Sequence, residues 1–133
     1  MTIKGGCLCR KVRYEITGSL FAADHCHCSM CRRQHGAAFA TYAEFNPSDF
    51  KWVSGENLVK VYETMPGVGW CFCCECGSTL AGTDKAEITT VTLGTIEGDP
   101  GIKSQGVLEI LCQFFNVQHN AVRRIDNDRQ IRF

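Results

Sequence analysis

Residues 71–77 read Cys-Phe-Cys-Cys-Glu-Cys-Gly, and this stretch decides how the chain is held together. Within it, two residues separate Cys73 from Cys76 and a glycine follows, which is the spacing of a tight turn that aims two thiolates at one metal ion. A closed four-ligand site needs a second pair from a distant segment. Cys7 and Cys9, which have no third cysteine near them, supply that pair. The sequence therefore predicts one four-thiolate structural zinc site.

The backbone must bend for a C-x-C pair to share one ion. Residues i and i+2 stand about 7 Å apart along a strand, whereas sulfurs on tetrahedral zinc are about 3.8 Å apart. Gly5, Gly6 and Gly77 are predicted to give the chain this freedom. Cys71 and Cys74 are alternative ligands for this site, and are otherwise expected, like Cys112, to be small packed residues.

Residues 26–31 read Cys-His-Cys-Ser-Met-Cys and offer three thiolates within six residues. Three protein ligands, with the fourth position left to water or substrate, is the arrangement of catalytic zinc. Three thiolates leave a divalent ion with a net charge of about −1, which makes it a poor source of hydroxide but a good partner for an added thiol. Cys26, Cys28 and Cys31 are therefore predicted to hold a catalytic zinc.

Four polar residues beside this cluster have two interpretations each. His35, or less readily His27, is the fourth ligand if the second site is also structural; otherwise either one carries a proton. His27 lies between two ligands and is expected to point away from the metal. Arg32 and Arg33 either pair with substrate carboxylates or form a solvated helix face. His25 is a further candidate for the fourth ligand.

Length and composition indicate one domain over residues 1–133, with 14 basic and 14 acidic residues. This balance gives no long-range attraction to nucleic acid or to anionic lipid. There is no signal-peptide run and no stretch of about 18 apolar residues, so we expect no membrane segment and a cytoplasmic location. Reduced thiols there favour metal ligation over a disulfide framework.

The remaining pattern is mainly β with short helical turns. Five alternating or β-branched runs predict strands: Lys11–Ile16, Ala38–Phe45, Phe50–Val53, Leu58–Tyr62 and Ile88–Leu93. Residues 54–57 are predicted to close a hairpin between the third and fourth runs, and 94–101 to form a loop.

Two further segments carry structural expectations. A helical turn is expected over Cys28–His35, ended by Gly36. The segment Val107–Val117 fits either a strand or a helix. Trp70 is expected in the core, with a pocket wall as the alternative.

The order and spacing of all these motifs resemble the glutathione-dependent formaldehyde-activating (GFA, or CENP-V/GFA) family over about residues 5–99. The matching motifs are Gly6-Cys-Leu-Cys9, Val12-Arg-Tyr14, Cys26-His-Cys28-Ser-Met-Cys31-Arg-Arg33, Gly36-Ala-Ala-Phe39, Phe72-Cys73-x-x-Cys76-Gly-Ser78 and Gly94-Thr-Ile-Glu97. The resemblance implies a zinc β-tent fold of two β-sheets that carries two zinc ions. It assigns the structural ion to the first C-x-C and the later C-x-x-C, and the catalytic ion to the C-x-C-x-x-C.

The resemblance also implies an activity, the condensation of formaldehyde with glutathione to S-(hydroxymethyl)glutathione. Our first hypothesis is therefore a zinc-dependent carbon–sulfur lyase or synthase that acts on a small thiol adduct, with a small thiol and a small aldehyde as partners. Its catalytic groups are the three clustered cysteines, with His27 and Arg32 in supporting roles. The rival hypothesis is a zinc-stabilised interaction module with no turnover, because a fold alone does not determine function.

Overall fold

The computed structural model describes residues 1–103 and 106–108, and these are mainly β. The strands are β1 Thr2–Gly6, β2 Arg13–Thr17, β3 Ala22–Cys26, β4 Ala40–Glu44, β5 Phe50–Ser54, β6 Val59–Met65, β7 Val68–Cys73, β8 Thr79–Asp84, β9 Glu87–Thr92 and β10 Gly106–Leu108. Three short 3-10 turns, Pro47–Asp49, Glu56–Leu58 and Leu93–Thr95, lie between them. Residues 109–133, with Cys112 and most of the segment predicted as strand or helix, lie outside the described residues.

One α-helix, α1 Ser29–His35, occurs in the part of the chain that the structure describes. It begins after Cys28 and ends at Gly36, which adopts the left-handed conformation with φ of 61°. The predicted helical turn and its glycine stop are confirmed. None of the described helices is long and apolar enough to cross a membrane.

The strands form two sheets. The smaller has the order β1-β2-β5, and the larger has the order β10-β3-β4-β9-β8-β7-β6. All neighbouring strands are antiparallel except β10 and β3, which are parallel. The predicted fold class, mainly β with two sheets and short helical turns, is confirmed.

The predicted hairpin between Phe50–Val53 and Leu58–Tyr62 is wrong. These runs are strands, but β5 pairs with β2 in the small sheet and β6 pairs with β7 in the large one. Gly55, at φ of 68°, and the 3-10 turn after it carry the chain from one sheet to the other. The turn residues were recognised correctly, but local sequence does not show which strand each run pairs with.

The main core lies between the two sheets. Tyr14 and Ile16 on one face of β2, and Val12 just before the strand, are fully buried, as the alternation of that run predicts. Opposite them, the large sheet presents a cross-strand row of small or β-branched side chains. The members of that row are Ala23, Ala43, Val91, Ala81 and Cys71.

The other face of the large sheet carries α1 and a second, smaller cluster. Cys26, Cys31 and Ala40 are its buried members, and Tyr42 and Trp70 pack against them. Cys26 pairs with Ala40 across β3 and β4, so both side chains point to the same face. The large sheet therefore separates the main core from the three-cysteine cluster.

Candidate metal centres

Two groups of cysteines have their sulfur atoms within 4.8 Å of one another. One contains Cys7, Cys9, Cys73 and Cys76, and the other contains Cys26, Cys28 and Cys31. These are the two sets that the spacing predicts. All nine cysteines within residues 1–103 are free of disulfide bonds, which agrees with the preference for metal ligation.

The four-cysteine group joins the loop after β1 to the end of β7. The Sγ atoms of Cys7 and Cys9 are 3.4 Å apart, and those of Cys9 and Cys73 are 3.9 Å apart. Tetrahedral zinc places its sulfur ligands about 3.8 Å apart. Four sulfurs at these distances fit a closed zinc site, and no histidine or carboxylate of the described residues belongs to the group.

The bends that bring these sulfurs together are only partly the predicted ones. Gly77 has φ of 75° and donates its N–H to Cys73 O at 2.8 Å, as the glycine after the last ligand suggests. At the first pair, however, the bend is at Arg10, with φ of 62°, whose N–H donates to Cys7 O. Gly5 and Gly6 lie in extended β1, so they do not supply this bend.

Gly5 is needed for space rather than for a turn. A Cβ at this position would lie 2.2 Å from the phenol end of Tyr14 and 2.6 Å from Thr95 O. The Tyr14 hydroxyl and Thr95 Oγ1 are 2.9 Å apart, so the ring is held across β1. Gly5 thus lets the core tyrosine pass directly beside the strand that leads to the four-cysteine group.

Ser78 connects the two halves of this group, and the sequence analysis gave it no role. Its hydroxyl lies 3.3 Å from Cys76 Sγ and accepts the N–H of Leu8, between the first two cysteines, at 3.0 Å. Hydrogen bonding from Ser78 lowers the pKa of Cys76 to about 5. Val12 N–H donates to Cys7 Sγ at 3.3 Å. Both sulfurs therefore have donors that favour the thiolate that a metal binds.

The three-cysteine group is built by the end of β3 and the start of α1. Cys26 ends the strand, Cys28 caps the helix and Cys31 lies in its first turn. Cys26 and Cys31 are buried, and Cys28 is half-buried. Hydrogen bonding from Cys31 lowers the pKa of Cys26 to about 6, and the same bond raises the pKa of Cys31. Three such sulfurs, partly accessible, are a donor set that fits zinc.

Among the described residues, no histidine nitrogen lies close enough to these three sulfurs to belong to the same group of possible metal ligands. His25 and His27 both pack on Phe39, with ring centroids 4.9 and 5.1 Å away. His27 is not in the sulfur group, and its ring stacks on that of Phe39.

His35 contacts Tyr42 instead of completing the sulfur group. Its Nδ1 is 3.1 Å from the Tyr42 hydroxyl, and its Nε2 is buried with no partner among the described residues. Burial lowers the pKa of His35. Burial, with a further contribution from Cys31, raises the pKa of Tyr42. Tyr42 was not singled out from the sequence, although its place two residues after Ala40 puts it on the face of Cys26.

Arg32 and Arg33 are exposed in the last turn of α1. Neither forms an ion pair with any residue in 1–103. Both border a shallow cavity of about 350 Å³, whose other lining residues are Ser29, Gly36, Ala37 and Ala38. Two guanidinium groups beside the cysteine group, with no ion pair inside residues 1–103, make this surface suited to an anion.

Cys71 and Cys74 belong to neither group. Cys71 is buried in the main core, where burial raises its pKa to about 11, and Cys74 is exposed. Neither is in a candidate ligand group, and Cys71 is the packed small residue that was predicted, but the same prediction is wrong for Cys74, which is exposed.

The comparisons with known proteins agree with this arrangement. The family model described as "Glutathione-dependent formaldehyde-activating enzyme" matches residues 2–113. A crystal structure of a Rhodobacter sphaeroides protein is similar, with 30% sequence identity, a TM-score of 0.57, and coverage of 72% of this chain and 89% of that one. No curated protein matches the sequence. Because the family model covers most of the chain, this protein belongs to the glutathione-dependent formaldehyde-activating enzyme family.

Proposed function

We propose that this protein is a zinc-dependent carbon–sulfur lyase or synthase that acts on the adduct of a small thiol and an aldehyde. The observation that carries the proposal is the three-sulfur group of Cys26, Cys28 and Cys31, with no fourth protein donor among the described residues. Three protein ligands leave coordination to be completed by a substrate. Membership of the family supports glutathione and formaldehyde as the first pair to test.

The four-cysteine group has a structural role in this proposal. Cys7, Cys9, Cys73 and Cys76 would hold one zinc ion and join the start of the chain to a segment 64 residues away. Such sites can contribute roughly 10–16 kcal/mol of apparent binding free energy to folding. A single domain over residues 1–133, in the cytoplasm where thiols stay reduced, completes this part of the proposal.

At the second site, bound zinc would supply the stabilisation of a thiolate at neutral pH. The reaction needs a proton to leave the thiol, the sulfur to bond to the aldehyde carbon, and a proton to reach the carbonyl oxygen. His35, whose Nδ1 lies 3.1 Å from the Tyr42 hydroxyl and whose Nε2 has no partner among the described residues, would carry that proton. His27 is a second candidate for this role. Arg32 and Arg33 would orient substrate carboxylates.

Metal analysis combined with thiol binding tests this proposal. We expect two zinc ions per chain, and we expect cobalt substituted at the three-cysteine site to change its absorption spectrum when glutathione is added. Exchange between glutathione and S-(hydroxymethyl)glutathione, followed by NMR, should be faster with the protein than without it. Two tightly bound zinc ions whose spectra do not change when thiol is added, together with no acceleration of the exchange reaction, would instead indicate an interaction module.

A further inference from the structure

A second, more apolar cavity of about 400 Å³ opens beside the three-cysteine group. Its lining residues are Met30, Arg33, Gln34, Tyr62, Thr64 and Trp70. Met30 directly precedes Cys31 on α1, and Trp70 packs against the cluster of Cys26, Cys31 and Ala40. The cavity and the sulfur group therefore both adjoin Trp70 and the first turn of α1.

The walls of this cavity are aromatic and firmly positioned. Trp70 stacks on Tyr42 with ring centroids 5.0 Å apart. Gly82, which pairs with Trp70, makes room for the indole, because a Cβ there would lie 3.0 Å from its Cζ3 atom. Tyr62 and Met30 are among the exposed large apolar residues, at 65% and 37%. Apolar side chains gathered at an open cavity are typical of a surface that binds a ligand.

The charge of Arg33 would give the cavity its selectivity, and Gln34 has a structural role beside it. Arg33 is the charged residue in its lining and forms no ion pair with the rest of residues 1–103. The side-chain amide of Gln34 donates from Nε2 to Thr79 Oγ1 at 2.7 Å, which fixes it. Its Oε1 is buried with no partner among the described residues. The cavity thus offers an apolar floor and one cation at its edge.

We propose that this cavity selects an aldehyde that carries an aromatic-sized apolar group and a carboxylate. The apolar group would pack on Trp70 and Met30, and the carboxylate would meet Arg33. A one-carbon aldehyde would fill none of this space. The inference deepens the proposed function and rests on it.

With this substrate the chemical step is balanced in atoms and electrons. The thiol sulfur bonds to the carbonyl carbon, the π electron pair of the carbonyl moves to oxygen, and the proton lost by the thiol ends on that oxygen. No electron is gained or lost, so the step needs no oxidant or reductant.

Binding alone provides the first test, with 4-methylbenzoate as an unreactive ligand. In a Trp52→Phe protein, Trp70 is the remaining tryptophan and reports on the cavity by fluorescence. We expect a saturable change with 4-methylbenzoate and none with acetate. Arg33→Met should weaken binding about three- to tenfold, since a charge-assisted hydrogen bond is lost. Lys60→Met, which removes an exposed cation of β6 outside this cavity, should change binding less than about twofold.

The second test follows thiol exchange by NMR with 4-carboxybenzaldehyde, benzaldehyde and formaldehyde. We expect the first to be accelerated most, and Arg33→Met to remove its advantage over benzaldehyde. Acceleration of formaldehyde exchange alone, with no response of Trp70 to 4-methylbenzoate, would overturn this inference while the proposed function stands. Acceleration of no aldehyde would overturn the proposed function and the substrate inference with it. Equal binding to Arg33→Met and Lys60→Met would overturn the role of Arg33.

Discussion

The Sγ atom of Cys28 accepts the backbone N–H of Cys31 at 3.3 Å, so one candidate ligand caps the helix that carries the next. The helix has seven residues, too few to be stable by itself in water. The cap and the packing on Ala40 hold it in place. The three-cysteine group is therefore organised locally, whereas the four-cysteine group joins segments that are distant in the chain.

Substitution of one cysteine from each group should separate these two roles. Cys28→Ser keeps a helix cap, because serine is a favoured N-cap residue, but it removes a ligand. We expect this variant to stay folded, to lose one zinc ion and to lose thiol binding. Cys76→Ser removes a ligand from the site that joins distant segments. Such zinc sites contribute roughly 10–16 kcal/mol of apparent binding free energy to folding, and most of it would be lost. We therefore expect this variant to be unfolded.

Zinc content by mass spectrometry and thermal unfolding by circular dichroism check these outcomes. Cys74→Ser is the control, because Cys74 is exposed and belongs to neither group. It should keep two zinc ions and the unfolding temperature of the parent. Equal damage from Cys28→Ser and Cys76→Ser would contradict the division of the two sites by role.

Ser78→Ala should weaken metal binding at the four-cysteine group without removing a ligand. The hydroxyl donates to Cys76 Sγ and holds the Leu8 N–H, so its loss leaves one thiolate less stabilised and the first loop less fixed. Loss of such a supporting contact typically costs 10–100-fold in metal affinity. Competition with a chromophoric chelator measures this change.

Ser54→Ala is the matched control for that experiment. Its hydroxyl donates to Lys11 O at 3.4 Å and touches no cysteine. It should leave zinc affinity unchanged within about twofold. Similar losses in the two variants would argue that general destabilisation, and not the contact with Cys76, sets the affinity.

The sequence predicted the two cysteine groups well because each pair or triplet of ligands is marked by its local spacing. The spacing of Cys73 and Cys76 and the glycine after them indicate the turn directly, and the six residues 26–31 define the second group. The end of α1 at Gly36 was also predicted locally, from the glycine that follows the helical turn.

The features that sequence reasoning missed depend on which segments meet. A hairpin was predicted between Phe50–Val53 and Leu58–Tyr62 because the residues between them favour a turn. The two strands instead pair with β2 in the small sheet and with β7 in the large sheet. Tyr42 and Trp70 lie on different strands, β4 and β7, and their stacking over the cysteine group depends on strand order. No periodicity within one segment reveals such a contact.

Tyr42→Phe should slow the proposed reaction without unfolding the protein. It removes the hydroxyl that lies 3.1 Å from His35 Nδ1, so the imidazole loses the group that orients it. A positioned acid–base group contributes about 10²–10⁴-fold to rate, and we expect a loss of about tenfold when it is only misoriented. Thiol–aldehyde exchange by NMR measures the rate.

Tyr14→Phe serves as the control for this variant. It removes a hydroxyl bonded to Thr95 on the other side of the large sheet. We expect a loss of about 1 kcal/mol of stability and no change in rate. A rate loss of the same size in both variants would mean that stability, and not the contact with His35, limits the reaction.

Gly5→Ala should destabilise the fold strongly, because Gly5 is where β1 passes the phenol of Tyr14. A Cβ there would overlap the phenol and the carbonyl of Thr95, and neither can move without opening the core. We expect a loss of about 3 kcal/mol in the free energy of unfolding, measured with urea. Gly94→Ala is the control, since a Cβ there meets nothing within 4 Å. A near-neutral Gly5→Ala would show that the tyrosine is free to move, and that the path of β1 into the four-cysteine group does not depend on this close approach.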